Sequence, residues 1–230
     1  MICGLINKLK LPENRYVWML LYWPLLGLVF WSLEFMDSRE YVPVYSVLDD
    51  MIPFCKYFIV PYFLWFVYII GTMAYFFFKD KVAFVKYMWT VIITHTITLI
   101  TYIVYPTCQE LRPEITGDGF CEFVLRWLYG YDTNTNVCPS LHVTGACAVC
   151  FAVVKSKVIK SRFIKAAYII LNILICLSTV FIKQHSIIDV VAGLAVSAAT
   201  YPFIFMENKA SAVLEGLFVL KGKKEVVQGV

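Results

Sequence analysis

The chain has 230 residues, 60% of them hydrophobic and only 16% charged, with a formal net charge of +4. Soluble domains sit nearer half apolar and about a quarter charged, so an ordinary water-soluble core is excluded. The positive residues lie in short clusters between apolar runs, which excludes a nucleic-acid surface and points to a bilayer instead.

Crossing a hydrocarbon core of about 30 Å takes roughly 20 apolar residues in a helix. Six stretches meet that demand, near 16–36, 57–78, 82–105, 140–158, 163–183 and 186–206. The first is too long and too aromatic for a signal peptide, and no small-residue cleavage site follows it, so it is read as a span. Pro61 and Pro202 fall near the ends of their segments, where a missing N–H costs little.

The connections set the expected orientation. Lys8, Lys10 and Arg15 precede the first span, and Asp37, Glu40, Asp49 and Asp50 outweigh Arg39 and Lys56 after it. Lys79, Lys81 and Lys86 crowd the next connection. Over 106–139, Glu110, Glu114, Asp118, Glu122 and Asp132 outnumber Arg112 and Arg126. Lys155, Lys157, Lys160, Arg162 and Lys165 follow, and the tail carries Lys209, Lys221, Lys223 and Lys224. The alternation predicts cytoplasmic termini, with the 106–139 loop and the turn at 183–185 together on the outer face. Within that loop, 119–131 has apolar residues at helical spacing and is expected to lie in the interface, as is 43–54. A short amphipathic piece at 211–220 interrupts an otherwise polar tail. No repeat or second domain is visible. The expected fold is therefore all-α: one polytopic membrane domain over 1–230, with six transmembrane helices and an interfacial helix in the outer loop.

Only three histidines occur, so each can be weighed. His185 stands four residues before Asp189, and i,i+4 places both on one helix face. An acid inside an apolar helix marks a functional site by default. A carboxylate on one ring nitrogen fixes the tautomer and leaves the other free as nucleophile or base. His142 follows Pro139 and Ser140 at a helix start, where free N–H groups and the positive dipole end favour phosphate. Arg112-Pro113 adds a guanidinium, a bidentate phosphate ligand that stays charged. The charge count brings these stretches to one membrane face, so two imidazoles, a hydroxyl and a guanidinium converge there as a phosphoryl-transfer set. No carboxylate cluster suggests a bound metal, so metal-independent chemistry without a cofactor is expected. His95, mid-span between Thr94 and Thr96, is read as a core residue.

Eight cysteines are present. Cys147 and Cys150 have C-x-x-C spacing but sit in an apolar helical run with no second ligand pair, so they are read as core residues. Cys108, Cys121 and Cys138 share one polar loop and are candidates for a disulfide, with the pairing open.

The set Arg112-Pro113, Pro139-Ser140-x-His142 and Ser178 with His185-x-x-x-Asp189 resembles the type 2 phosphatidic acid phosphatase superfamily. That family's three-part signature reads Lys-x6-Arg-Pro, Pro-Ser-x-His and Ser-Arg-x5-His-x3-Asp, and the resemblance covers about residues 82–206. It implies that His185, oriented by Asp189, attacks phosphorus to form a phosphohistidine. His142 would protonate the leaving alcohol, and Arg112 and Ser140 would hold the phosphoryl oxygens. Tyr105 stands where the signature has its lysine and Thr179 where it has its second arginine. Lys183, four residues after Thr179, is the candidate to restore charge from the same helix face. The resemblance implies a membrane phosphatase acting on a lipid phosphate monoester or diphosphate at the outer face of the cell membrane. Two other readings are a lipid phosphotransferase of the phosphosphingolipid-synthase kind and a non-catalytic protein binding anionic lipid.

Overall fold

The computed structural model describes residues 12–34 and 39–218. Lys8, Lys10, Asp37, Lys221, Lys223 and Lys224 lie outside the described residues, as do positions 35–36 of the first expected span and 219–220 of the expected amphipathic piece.

A 3-10 segment, Pro12–Leu21, runs into α1 (Tyr22–Glu34). After the short α2 (Val47–Met51) come the long helices α3 (Ile59–Lys79) and α4 (Lys81–Val104). Only Asp80 separates these two. Its carboxylate caps α4 by accepting from Ala83 N at 3.0 Å, and the chain reverses there. Next are α5 (Phe120–Tyr131), α6 (Leu141–Lys155), α7 (Arg162–Phe181), α8 (Ile187–Phe205) and α9 (Lys209–Phe218).

Among the described residues five helical stretches are long and apolar enough to cross a membrane: Asn14–Glu34, Lys56–Lys79, Lys81–Val104, Arg162–Phe181 and Ile187–Phe205. The fourth expected span, 140–158, differs. Its helix α6 holds 15 residues, a rise of about 22 Å that falls short of a full hydrocarbon core. Both ends are stopped locally. Ser140 caps the start, and Ser156 turns extended at the end while its hydroxyl accepts from Val158 N and Ile159 N at 3.1 and 3.2 Å.

Helix α6 is nonetheless the centre of the bundle. Gly145, Ala146, Cys147, Ala148 and Cys150 are all buried along it, and small side chains let the neighbouring helices approach closely. A Cβ on Gly145 would meet Ile69 Cδ1 at 2.8 Å and Trp65 Cζ2 at 3.1 Å. The surrounding helices turn large apolar residues outward, including Val67, Ile103, Phe163 and Val191. Such a belt of exposed apolar surface is stable only against lipid. The chain is an integral membrane protein with an all-α bundle.

At one end of the bundle the connections pack on each other. A parallel ladder pairs β1 (Val42–Pro43) with β2 (Thr107–Cys108), in the register Val42 with Thr107 and Pro43 with Cys108. Arg39 donates to Leu33 O, Tyr102 O and Asn136 Oδ1, tying the same segments together. Cys108, Cys121 and Cys138 are free thiols there. Cys147 and Cys150 are buried inside α6, as expected of core residues.

Candidate active site

Helices α6 and α8 begin side by side. Ser140 N donates to Asp189 O at 3.1 Å, which levels the two helix starts. The approach requires glycine on α8: a Cβ at Gly193 would lie 3.0 Å from Val143 Cβ and 3.2 Å from Ser140 O. Tyr102, buried on α4, donates its hydroxyl to Pro139 O at 2.7 Å and holds the approach to α6. The two histidines thereby share one site, with ring centroids 6.2 Å apart and planes inclined at 60°.

His185 and Asp189 meet as their spacing predicts, with Nδ1 3.1 Å from Oδ2. The same oxygen accepts from Ser186 N at 3.0 Å, closing a capping box at the start of α8. A donor on Nδ1 leaves the lone pair on Nε2. The Asp189 Oδ1 atom is buried without a hydrogen-bond partner, and the Cys138 thiol lies beside this carboxylate. Burial first, and then the Asp189 charge, push that thiol up to about 12, so it stays protonated.

His142 is held by aromatic walls that the sequence did not announce. Its ring stacks on Tyr62 at 4.2 Å and leans on Trp65 at 4.4 Å. Trp65 Nε1 donates to the His142 carbonyl at 2.9 Å. The His142 Nε2 atom is buried with no protein partner.

The expected phosphate ligands are placed differently. Ser140 is fully buried, and its hydroxyl caps α6 by accepting from Val143 N at 3.4 Å. Arg112 donates to Tyr129 O, Asp132 O and Thr133 O at 3.2, 2.8 and 2.7 Å and stacks over the Tyr129 ring. Its Nε is left unpartnered. Lys183 does not share a helix face with Thr179, because α7 ends at Phe181 and Lys183 takes a left-handed φ of 55°. Its ammonium instead donates to Asp49 O and Ile52 O at 2.7 and 2.6 Å. It therefore stands behind the turn as a strut.

Tyr105 is exposed at the end of α4. Thr179 is buried with its hydroxyl on Cys176 O, while its carbonyl accepts from Gln184 N and His185 N at 2.9 and 3.0 Å. The Thr179 backbone thus holds the His185 turn, while its side chain supplies no cation. His95 stands apart, buried within α4 with Nδ1 3.2 Å from Thr94 Oγ1, as a core residue should.

Beside the histidines the site holds a carboxylate. Asp132 Oδ2 accepts from Gln184 Nε2 at 2.9 Å and from Tyr62 OH at 3.3 Å. Burial, and then the nearby Glu34 carboxylate, raise the Asp132 carboxyl above its ordinary range, against the opposing pull of His185 and Arg112. Buried Gln109 reaches the same turn, donating from Nε2 to Lys183 O at 2.9 Å. The sequence held only weak signals for these residues, one acid in a loop already rich in acids and one uncharged amide.

Fold and site together define a helical integral membrane protein with a paired-histidine site at one end of its bundle. Residues 119–203 match the family model of the PAP2 superfamily, in line with the resemblance that the three motifs carry. The match runs from the start of α5 almost to the end of α8. It includes Ser140, His142, His185 and Asp189, and it leaves Tyr105 and Arg112 outside. No curated protein and no solved structure matches the chain.

Proposed function

We propose that this protein is a membrane phosphatase that cleaves a lipid phosphate monoester or diphosphate through a phosphohistidine on His185. The observation that carries the reading is the His185–Asp189 pair facing His142 across 6.2 Å. The phosphorus in this reading sits about 3–3.5 Å from the attacking nitrogen. In this reading Nε2 of His185 forms the bond to phosphorus while the bond to the lipid oxygen breaks. His142 protonates the departing oxygen, then takes a proton from the water that hydrolyses the phosphohistidine. The unpartnered Nε of Arg112 and the N-terminal N–H groups of α6 would hold the phosphoryl oxygens.

Among the described residues no three His, Cys, Asp or Glu side chains cluster as a metal site. Turnover is expected to persist in chelator. The site faces the outer leaflet in this reading, with six passes, cytoplasmic termini and the apolar side chains of α5 in the interface. The lipid is presented from the bilayer and no nucleic acid is involved.

The test is phosphate release from purified protein offered phosphatidate, phosphatidylglycerophosphate, isoprenyl diphosphate and soluble phosphate esters. His185→Ala should lower the rate on the order of 10⁴-fold; a variant with intact turnover sinks the enzyme reading. A second reading rests on Tyr105, Thr179 and the Asp132 carboxylate, which leave the phosphate seat less positive than the family signature. It is transfer of a phosphoryl-containing headgroup to an alcohol acceptor. Product appearing on an added alcohol with no free phosphate would favour it.

A further inference from the structure

We propose that Asp49 is a positioning residue for His185, acting from the short helix α2 on the turn that carries the nucleophile. The proposal rests on the reading of His185 as nucleophile.

Asp49 is only 2% exposed, although it lies in a connection and far from the site in sequence. Its carboxylate takes three donors, two of them from residues far along the chain. Oδ2 accepts from Ser186 Oγ at 2.6 Å and Oδ1 from Ile187 N at 2.8 Å, while Ser46 N donates to Oδ2 at 2.9 Å. The backbone of the same helix is gripped as well, since Lys183 Nζ donates to Asp49 O and Ile52 O. Residues 183, 186 and 187 bracket His185, so α2 holds the catalytic turn from both sides.

The linkage to the imidazole is short. Ser186, whose hydroxyl meets Asp49, donates its N–H to Asp189 Oδ2, and that oxygen also meets His185 Nδ1. Asp49, Ser186, Asp189 and His185 thus form one chain of hydrogen bonds. A buried carboxylate persists only where its donors are supplied. Here two of the three donors come from the start of α8, whose dipole end also favours the charge. A misplacement of about 1 Å at a reacting centre costs roughly 10²-fold in rate, so a carboxylate that touches no substrate still bears on the reaction.

Asp49→Asn separates positioning from packing. It keeps the side-chain volume but turns one acceptor into an amide donor that faces Ser46 N–H and the Ser186 hydroxyl proton. The expected result is a fall in kcat of about 10- to 100-fold with KM within about twofold of wild type. Phosphoenzyme formation should slow to the same extent in a rapid quench. Asp49→Glu, which keeps the charge, should recover part of kcat. Ser186→Ala leaves Asp49 two of its three donors and should lower kcat less, about three- to tenfold; it serves if Asp49→Asn does not purify as a monodisperse species.

Hydrogen exchange gives a readout independent of turnover: the Ser186 and Ile187 amides of Asp49→Asn should exchange at least about tenfold faster, with the α6 amides unchanged. Wild-type kcat in Asp49→Asn, a loss carried wholly by KM, or unchanged exchange at 186–187 overturns the proposal. A wild type that turns over no lipid phosphate overturns the phosphatase reading instead, and the exchange result at 186–187 then decides the anchoring role alone.

Discussion

Asp132 places a buried carboxylate within electrostatic reach of His185 and Arg112. Its carboxyl is raised by burial, so the folded protein binds this proton more tightly than the unfolded chain does. Stability from this group is fully present below the ordinary aspartate value of about 3.9, and it is lost as pH rises through the higher folded value. Thermal unfolding in detergent across acidic pH should show that decline, and Asp132→Asn should flatten it. The same substitution removes a negative charge from beside Arg112 and His185, so KM for an anionic lipid should drop about fivefold, roughly 1 kcal/mol. The His142 walls make a separate prediction. Trp65→Leu removes both the ring contact and the N–H bond to the His142 carbonyl and should lower kcat about tenfold or more. Trp65→Phe keeps a ring and should lose less, as single-turnover kinetics would show.

Helices α6 and α8 work as a pair because their first turns touch. Gly193→Ala would press a methyl against Val143 and the Ser140 carbonyl, an overpacking that costs about 1–3 kcal/mol. The expected outcome is a lower unfolding temperature together with reduced turnover, because relief of the clash moves one histidine from the other. Calorimetry or a thermal-shift assay, paired with phosphate release, checks both. These helices were legible beforehand as apolar runs with caps, and the His185–Asp189 pair followed directly from their i,i+4 spacing. The expected span ran on to position 158, but the apolar run stops at Val154, Lys155-Ser156-Lys157 follow, and Ser156 turns the backbone out of the helix.

For the whole molecule, orientation is the expectation that most needs measurement. In a background with the native cysteines replaced, a membrane-impermeant maleimide on intact cells should label Asp118→Cys and leave Lys157→Cys unlabelled until the membrane is permeabilised. The reverse pattern would put the site on the cytoplasmic face. Membrane insertion, the five long apolar helices and the meeting of His185 with Asp189 were legible in the sequence alone. Those features depend on local composition, helix periodicity and capping, which a linear chain carries openly. Tertiary structure decided the rest. It put Arg112 and Lys183 on backbone carbonyls, walled His142 with Tyr62 and Trp65, and set Asp132 beside the pair. It also brought Asp49 to Ser186 across 137 residues of chain. A long polar side chain takes the donors and acceptors that packing brings near it, and neither its type nor its spacing says which those are.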